Sequence, residues 1–452
     1  MKHTIQKALC LLLSLILSAG LFTGCGGEKK PLQICVDLGG AGRYQNRDLP
    51  AQVRNLVENV HDFGGPEDVE VEIIPIEGAE RETAIKRVKT ELMSGSGPDL
   101  FLVDTYDGNF YNTTPVFPIP QQLMDRRLFL PLDEYIENAQ FMEWDKLNPQ
   151  VMAAGHGEEG QLFLPLSYSF PVTCYKREDF DHTPSKDYTF ADMVDDESGY
   201  LAAAGCFNQS GVGTGDWFHA VFGELADYAG EKLLFTEEDL YDALIQQLRI
   251  DLRYFDGAFD GLPWYQARMG VGMRPTRWSG EYGNLNMDYL HPDSATPLSM
   301  VPLYSLEGGV TAKVTSFAAI NRNSKRPDEA FMILDYLLGV DAQRYASVYE
   351  MIYRFDMALP VYDDLLSPDL SCQHRSMSAD NFQAYTQLRD QITAVTLTNA
   401  LDWELLETYW DARDVLWDGD ATTYLPIEGK EDELRQVVSE HYTVMEMELA
   451  ES

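Results

Sequence analysis

Residues 100–103, with the sequence LFLV, form the continuous apolar run that most constrains the fold of this chain. A strand with four successive apolar side chains is typically buried on both faces, as in a parallel sheet covered by helices. Residues 79–94 precede it and predict a helix, because apolar side chains recur at helical spacing and charged ones occupy the other face. Gly95 then stands where a C-terminal helix cap is expected. A helix leading into a buried strand is typical of an α/β fold.

The same alternation of strand and helix extends along the rest of the chain. The predicted strands are residues 32–38, 69–76 and 316–320. The predicted helices are residues 49–60, a helix that begins at Pro327 and, in the C-terminal third, residues 385–418 and 430–449. These elements predict an α/β fold, and the length of 452 residues allows two or three lobes.

The N-terminus has the features of a bacterial secretory signal. Lys2 and Lys7 give a positive start, and residues 8–22 are apolar apart from two serines. An apolar stretch of roughly 15 residues is short for a membrane span, which needs about 20, but it fits the core of a signal peptide. The following LFTGC, which ends at Cys25, resembles the box at which bacterial lipoproteins are cleaved and acylated. An ordinary secretory signal with a chance cysteine is the alternative.

This segment leads to an expectation about location. We expect residues 1–24 to be the signal peptide, Cys25 to be lipidated and residues 25–31 to form a tether. Two acyl chains give the affinity that stable membrane attachment needs. The expected location is therefore the extracellular face of a bacterial cell membrane, with the chain held there by its lipid.

The charge of the chain is strongly acidic, with 34 Lys and Arg against 73 Asp and Glu and a formal net charge of −39. Such a surface repels nucleic-acid phosphates and anionic lipid. We therefore expect no nucleic-acid partner, and membrane contact only through the N-terminal lipid. The charge also favours a soluble monomer.

The spacing of histidines and cysteines gives no indication of a metal site or of a cofactor. The eight histidines include no i, i+4 pair, and no two cysteines have CxxC spacing. Cys10 lies in the signal and Cys25 is the proposed anchor. The cysteines that remain are Cys35, Cys174, Cys206 and Cys372. They allow up to two disulfides, but a chain of this size does not need them, so buried free thiols are the preferred interpretation.

Three stretches, in order along the chain and after the lipoprotein box, resemble segments of the extracellular solute-binding proteins of carbohydrate importers, the class that includes maltose-binding proteins. Residues 86–104 (KRVKTELMSGSGPDLFLVD) resemble the family's helix, Gly-Pro-Asp turn and buried strand. Residues 160–180 (GQLFLPLSYSFPVTCYKREDF) resemble its crossing between lobes. Residues 313–345 resemble the strand, turn and helix that close the first lobe, and MALPV follows at 357–361.

The resemblance implies a two-lobed, class II periplasmic-binding-protein-like fold. Each lobe is expected to be a mainly parallel sheet flanked by helices, with extra helices at the C-terminus. The expected first lobe comprises residues 32–168 and 314–358, and the second comprises residues 169–313 and 359–452. The expected crossings between lobes lie near residues 168–172, 311–316 and 355–360. A ligand would bind in the cleft, and the lobes would close on it by hinge bending.

The resemblance also implies a binding protein rather than an enzyme. The chain would be the substrate-binding lipoprotein of an ABC importer and would deliver a mono- or oligosaccharide to permease subunits in the membrane. The apolar faces of sugar rings stack on aromatic side chains, while their hydroxyl groups bind carboxylates, amides and Arg. By position after the buried strand and at the first crossing, the candidate ligand-binding residues are Asp104, Thr105, Tyr106, Tyr168 and Ser169. Asp99 is expected to be a structural turn residue instead.

Two later segments supply further candidates. Residues 211–217 (GVGTGDW) end in Asp216 and Trp217, and they lack the spacing of a nucleotide-binding glycine loop. Residues 264–282 concentrate basic and aromatic side chains in an otherwise acidic chain. The candidates there are Trp264, Arg274, Trp278 and Tyr282, with Arg268 and Arg277 beside them. Either Trp278 stacks on a sugar while Arg274 binds a hydroxyl or anionic group, or the segment forms salt bridges and core packing.

Two other functions are compatible with the sequence. The same fold could bind a peptide, an organic acid or a metal complex. A secreted glycoside hydrolase needs only two suitably spaced carboxylates, which a chain with 73 acidic residues supplies by chance. The sequence contains neither HExxH nor GxSxG, so hydrolase chemistry has no motif in its support.

Overall fold

A computed structural model describes residues 30–37, 55, 57–75, 78–104, 115–205, 215–258, 297–344, 359–369, 377–419 and 424–451. Its strands are β1 (Leu32–Asp37), β2 (Val69–Ile73), β3 (Leu100–Asp104), β4 (His156–Gly157), β5 (Gly160–Gln161), β6 (Phe163–Ser169), β7 (Val172–Lys176), β8 (Ala226–Asp227), β9 (Lys232–Leu233), β10 (Leu298–Pro302), β11 (Val310–Ile320), β12 (Leu359–Pro360) and β13 (Ile392–Leu397). Its helices are α1 (Gly78–Met93), α2 (Pro120–Asp125), α3 (Asp133–Ile136), α4 (Pro149–Ala153), α5 (Phe190–Val194), α6 (Tyr200–Ala204), α7 (Glu237–Phe255), α8 (Pro327–Leu337), α9 (Val340–Arg344), α10 (Ala379–Arg389), α11 (Ala400–Leu416) and α12 (Glu431–Glu451), with 3₁₀ turns at Trp144–Lys146, Gly215–Val221 and Asp363–Leu366.

The largest sheet has the strand order β12-β6-β11-β3-β1-β2, and β13 also pairs with β11. The β1–β2, β1–β3 and β11–β13 pairs are parallel, whereas β11 runs antiparallel to β3 and β6. Strands and helices alternate through the first part of the chain. The predicted α/β class is therefore confirmed.

The predicted buried strand is β3. Its residues 100–103 are all essentially inaccessible to solvent, because the strand lies between β1 and β11 and helices cover the sheet. The preceding helix α1 matches the predicted range to one residue, and it buries Ile85, Val88 and Leu92 at helical spacing. Gly95 adopts φ 77° and donates its N–H to the Leu92 carbonyl at 3.1 Å. A left-handed glycine thus ends the helix, as the sequence predicts.

The Gly-Pro-Asp turn is held by the carboxylate of Asp99. This carboxylate accepts a hydrogen bond from the Gln33 N–H at 2.9 Å and another from the Ser324 hydroxyl at 2.6 Å. Asp99 therefore joins the start of β3 to β1 and to the turn after β11. The prediction that it is a structural turn residue is confirmed.

β11 is twice as long as the five-residue strand predicted at 316–320. Residues 316–320 pair with β3, and residues 310–314 continue the strand and pair with β13. On its other edge β11 pairs with β6, with register shifts around residue 315. β11 therefore connects the β1–β3 part of the sheet to the strand that precedes α11.

The prediction of helix over residues 385–418 is wrong in the middle of that range. α10 ends at Arg389, β13 occupies Ile392–Leu397, and α11 begins at Ala400. The sequence ITAVTL is rich in β-branched residues, which favour strands. β13 forms because it pairs with residues 310–314 of β11. β11 is distant from β13 in the sequence, so the local pattern does not reveal this partner.

Two pairs of strands lie side by side at the first crossing. β6 leads through two residues into β7, and β10 leads through a short loop into β11. β6 pairs antiparallel with β11, and β7 pairs antiparallel with β10. The strands β7 and β10 thus pair antiparallel, in contrast to the parallel sheet expected for the second lobe, because a short connection joins each of them to a strand of the antiparallel β6–β11 pair.

The apolar side chains form two cores. The first contains β1, β3, β6, β11 and α8, and it extends to side chains of β7, β10 and α10. The second contains side chains of α7, α11, α12 and the 3₁₀ turn at Gly215–Val221, and it takes the opposite face of β7 and β10. Because β7 and β10 contribute to both cores, apolar packing is continuous across the crossing. The boundaries given above for the two lobes stay predictions.

The C-terminal helix predicted at 430–449 is confirmed as α12. It packs against α11 and α7 in the second core and buries Leu434, Val438, Met445 and Leu449 on one face. Among the described helices, none combines the length and the apolar character that crossing a membrane requires.

A buried ion pair fixes the end of β1 to α1. Both guanidinium nitrogens of Arg81 donate to the carboxylate of Asp37, at 2.9 and 3.0 Å, and both side chains are buried. The Val116 N–H donates to the same carboxylate at 2.8 Å. Asp37 is thus fully hydrogen-bonded, which a buried carboxylate requires. It holds the carboxyl end of β1, the helix α1 and the chain after residue 114 together.

We predict that Arg81→Met lowers the free energy of unfolding by about 3–5 kcal/mol, because it leaves the Asp37 carboxylate buried without its counter-charge. Arg87, on the same helix, is the matched control: it contacts Glu72 and Glu91 but is 41% exposed. Arg87→Met should cost about 1 kcal/mol or less. Urea unfolding of both variants measures the difference, and equal losses would contradict the prediction.

Candidate ligand-binding site

The structure describes only part of the predicted ligand-binding residues. Tyr168 and Ser169 are described with their side chains, and Asp104 by its backbone at the end of β3. Asp216 and Trp217 lie in the 3₁₀ turn at Gly215–Val221, where the structure describes their backbone alone. The predicted residues outside the described ranges are Cys25, Thr105, Tyr106, Trp264, Arg274, Trp278 and Tyr282, together with Arg268 and Arg277.

Tyr168 lies in a buried hydrogen-bond network. Its hydroxyl donates to the Asp363 carboxylate at 2.9 Å and lies 2.8 Å from the Tyr385 hydroxyl. Asp363 also accepts hydrogen bonds from Asn148, at 3.2 Å, and Arg389, at 3.1 Å. Burial and the nearby Asp363 carboxylate raise the pKa of Tyr168 well above its usual value. The hydroxyl therefore remains protonated, and it joins β6 to α10. A role of Tyr168 in ligand binding stays a prediction.

Ser169 ends β6 opposite Lys313 of β11, and both side chains are buried. Two residues earlier, the Ser167 and Ser316 hydroxyls lie 2.5 Å apart, and Ser316 pairs through its backbone with Asp104. A row of polar residues therefore crosses the sheet where β3 ends. The next residues, 105–114, are outside the described ranges.

Lys313 forms a second buried ion pair at this crossing. Its ammonium group lies 2.8 Å from the Asp402 carboxylate, and each side chain is 1% exposed. Asp402 also accepts a hydrogen bond from the Asn399 N–H at 2.9 Å, while the Asn399 side chain caps the start of α11. This reciprocal capping box fixes the N-terminus of α11. The ion pair then ties that helix end to β11.

His219 belongs to the 3₁₀ turn at Gly215–Val221 and lies near the Lys313–Asp402 ion pair. The imidazole is buried, and burial lowers its pKa to about 4, although Asp402 acts in the opposite direction. The positive charge of Lys313 lowers the pKa of His219 further. The ring is therefore neutral at pH 7. Thr311 of β11 donates its hydroxyl to the Phe222 carbonyl at 2.8 Å and so holds the end of this turn.

β11 thus brings together segments that the sequence nominates separately. The end of β3 with Asp104, the end of β6 with Ser169 and the turn with Asp216 and Trp217 all contact or pair with it. Carboxylate, hydroxyl and amide groups at such an edge can bind a polar solute through hydrogen bonds. No group of three His, Cys, Asp or Glu side chains in the described ranges has the geometry to hold a metal ion.

Lys313, Asp402 and His219 are not among the residues predicted from the sequence. A signal for Asp402 exists, because Asn399 and Asp402 have the spacing of a capping box before an apolar run. Lys313 and His219 have no such local signal, since their partners come from other segments. Both residues acquire these contacts only when β11 packs against the start of α11.

The two described cysteines are unsuited to act as nucleophiles. Cys35 and Cys174 are buried thiols, in agreement with the preferred interpretation for these two residues. Burial raises the pKa of Cys174 to about 12 and raises that of Cys35 well above its usual value. Nucleophilic chemistry needs the thiolate, which both environments disfavour.

We predict that His219 makes the protein less stable in mild acid. Because the imidazole has a lowered pKa in the folded state, the unfolded chain binds more protons between about pH 6.5 and 4, and stability falls as the pH drops through this window. His219→Gln should reduce the loss of unfolding free energy between pH 7 and pH 5 by about 2 kcal/mol. Urea unfolding at both pH values measures it. The control His61→Gln, at an exposed position, should leave the pH dependence unchanged.

Comparison with known proteins gives a match in structure but not in sequence. No protein-family model matches the chain, and no curated protein matches it. An extracellular solute-binding protein family 1 structure from Alicyclobacillus acidocaldarius matches with a TM-score of 0.50 and 14% identity, over 93% of this chain and 100% of that one. A periplasmic oligogalacturonide-binding protein from Yersinia enterocolitica matches with a TM-score of 0.51 and 12% identity, over 92% and 99%.

A third solved structure, described as a de novo designed cysteine esterase, matches with a TM-score of 0.53 and 12% identity, over 94% of this chain and 99% of that one. At these identities the matches show the fold and not the activity. They extend over more than nine-tenths of this chain, so they include both cores and the crossing between them. The chain therefore has the fold of extracellular solute-binding proteins.

Proposed function

We propose that this chain is the solute-binding component of an ABC importer and that it captures a carbohydrate between two lobes. The observation that carries the proposal is the fold, which matches solute-binding proteins along almost the whole chain. The crossing of β6–β7 beside β10–β11 supports it, because adjacent crossing segments give a natural hinge.

The proposed mechanism is conformational closure rather than covalent chemistry. Elements fixed to β11 would present polar groups to one side of a solute, and the segments at 211–217 and 264–282 would contribute the aromatic and basic side chains nominated above. Trp217, Trp264, Trp278 and Tyr282 would stack on sugar rings, and Arg274 would bind a hydroxyl or a carboxylate. Closure removes the solute from water and gives the permease a distinct shape to recognise.

The charge of the ligand follows from the same residues. Arg268, Arg274 and Arg277 form a basic segment in a chain with a net charge of −39. Only such a local cluster could hold an anion against the surrounding field. The oligogalacturonide that the Yersinia protein binds is an acidic sugar, which makes a sugar acid a sensible first candidate here.

The remaining partners follow from the importer role. Permease subunits in the membrane would receive the solute, and a cytoplasmic ATPase would supply the energy for its import. Cys25 would carry the lipid that holds the chain at the extracellular face, and the monomer would be the working form. No cofactor takes part in this mechanism.

Two alternatives make different predictions. A peptide, an organic acid or a metal complex would bind in the same cleft with no change in fold. An enzyme would turn its substrate over, and one of the matching structures is described as a designed cysteine esterase, although the match is in fold alone. The buried thiols of Cys35 and Cys174 argue against cysteine chemistry at these two positions. A glycoside hydrolase would release product from an oligosaccharide, whereas a binding protein would return it unchanged.

Thermal unfolding against neutral oligosaccharides, sugar acids, peptides and metal salts tests the proposal. A ligand at 100 times its dissociation constant should add about 2.7 kcal/mol of stability and raise the unfolding midpoint. Trp278→Ala should abolish the shift given by the active sugar, and Arg274→Gln should abolish it selectively for sugar acids. Trp417→Ala, at a half-exposed tryptophan, is the control and should retain the shift. A shift with peptides or metals alone would overturn the carbohydrate assignment.

Lipidation is tested separately in a bacterial host. Cys25→Ala should lose labelling by a radioactive fatty acid and move from the membrane fraction to the soluble fraction, because the acyl chains are the proposed anchor. Cys10→Ala, within the signal, should keep both the label and the membrane location. Equal labelling of both variants would contradict the assignment of Cys25.

A further inference from the structure

The last helix, α12, contacts elements of both cores. Four of its side chains belong to the second core, namely Leu434, Val438, Met445 and Leu449. Near its C-terminal end, the Gln122 side-chain amide donates a hydrogen bond to the Leu449 carbonyl at 2.7 Å. Gln122 is buried and lies in α2, which packs Leu123 and Met124 against the first core. α12 therefore runs along the second core and is attached, in its last turn, to an element of the first.

His441 holds the middle of α12 against α11. Its Nδ1 lies 2.6 Å from a carboxylate oxygen of Glu404, and its Nε2 lies 3.1 Å from a carboxylate oxygen of Asp411. The side chains of His441 and Glu404 are largely buried. Ionised carboxylates accept hydrogen bonds and cannot donate them, so both ring nitrogens must carry a proton to make these two bonds. The ring that bridges the two carboxylates is therefore an imidazolium cation.

The sequence beyond His441 has acidic residues and no basic ones. After Arg435 the chain contains no Lys or Arg. Glu446, Glu448 and Glu451 lie in the last two turns of α12, where the helix dipole favours cations and disfavours anions. Since His441 is the single basic residue of the sequence after Arg435, the attachment of this half of the helix depends on the charge of its ring.

The groups around this bridge bind protons more tightly in the folded chain. Burial opposes the charge of His441, but its hydrogen bonds to Glu404 and Asp411 outweigh burial and raise the pKa of the ring above its usual value. Burial and the charge of Glu404 raise the pKa of Glu448 to about 7. Burial and the charges of Asp411 and Glu404 also raise the pKa of Glu407 on α11. Because each folded-state pKa lies above the unfolded one, the docked helix loses stability as the pH rises through neutrality.

The contacts of α12 with α7 and with the chain after β9 lie on a different stripe of the helix. Arg435 donates two hydrogen bonds to the Glu238 carboxylate, at 2.6 and 3.0 Å, and the Tyr442 hydroxyl donates to the Phe235 carbonyl at 3.0 Å. The other acidic groups of α7 that act on this stripe are Glu237 and Asp239. A guanidinium group does not lose its charge in the pH range of proteins, so the N-terminal half of α12 stays attached when the pH rises.

We propose that residues 441–451 of α12 form a pH-sensitive strap between the two cores, which is docked in mild acid and released in mild alkali. When the ring of His441 loses a proton, one of its two hydrogen bonds loses its donor, and the carboxylates of Glu404 and Asp411 lose the cation between them. Glu448 becomes negatively charged over an overlapping pH range and adds to the repulsion.

Release of the strap removes one link between the cores. The strap gives up the packing of Met445 and Leu449 and the hydrogen bond from Gln122, while the N-terminal half of α12 remains on α7. In the function proposed above the lobes close around a solute, so the pH would change how readily they move. This consequence rests on the proposed function, whereas docking and release of the strap require no ligand.

Limited proteolysis of the purified protein with a glutamate-specific endoproteinase, at pH 6 and at pH 8.5, tests the proposal. Mass spectrometry follows cleavage after Glu446 and Glu448, and each rate is divided by that of an unstructured reference peptide at the same pH. We expect the strap to be cleaved about tenfold faster at pH 8.5, because a difference of one pKa unit changes the docking equilibrium tenfold and cleavage follows the open population.

Two substitutions separate the charge of His441 from its size. His441→Gln keeps a hydrogen-bonding side chain without a charge, so its strap should be cleaved at pH 6 as fast as that of the unmodified chain at pH 8.5. His441→Lys keeps a cation at both pH values and should preserve the resistance at pH 8.5. His61→Gln, at an exposed position outside α12, is the control and should leave both rates unchanged.

Three results would overturn the proposal. The first is equal cleavage of the unmodified chain at the two pH values. The second is a His441→Lys strap that is cleaved at pH 8.5 as fast as the unmodified one. The third is cleavage after Glu82, an exposed residue of α1, that rises in step with cleavage of the strap, because it would show unfolding of the whole chain instead. No ligand enters these measurements, so their result does not depend on the carbohydrate assignment.

Discussion

β11 pairs with other strands on both edges, and the rest of the structure depends on this pairing. Residues 313 and 314 of β11 lie between β6 and β13, and residues 316–319 lie between β6 and β3. The strand therefore links the buried parallel strands of the first core to the segment that leads into α11. Every described part of the candidate ligand-binding site is attached to it. Because backbone hydrogen bonds on both edges restrict its movement, β11 is a rigid reference against which other segments can be positioned.

Two buried ion pairs fix the ends of a strand and of a helix in this fold. Arg81 and Asp37 fix the carboxyl end of β1, and Lys313 and Asp402 fix the start of α11. Buried pairs gain little net stability, since desolvation offsets their attraction, but removal of one partner is costly. Their effect is therefore mainly positional. In a fold whose proposed function is closure around a solute, both pairs hold the ends of elements that border the crossing.

The sequence predicted the elements whose signals are local. The run LFLV became β3, residues 79–94 became α1, and the helix at Pro327 and the C-terminal helix also formed as predicted. The prediction of helix was wrong for residues 392–397. This segment is a strand whose partner is distant in the sequence, and the helical pattern on both sides of it obscures the strand signal. Tyr168 and Ser169 were nominated by position, yet only the structure shows that the Tyr168 hydroxyl bonds Asp363.

The sequence by itself determined the α/β class, the acidic character and the order of segments that resembles solute-binding proteins. Periodicity, glycine and proline positions and charge are properties of neighbouring residues, so they can be read without coordinates. The tertiary structure decided that β13 exists, that Lys313 meets Asp402, and that His441 bridges Glu404 and Asp411. Each of these facts joins residues separated by tens to hundreds of positions, and only the folded chain brings such residues into contact.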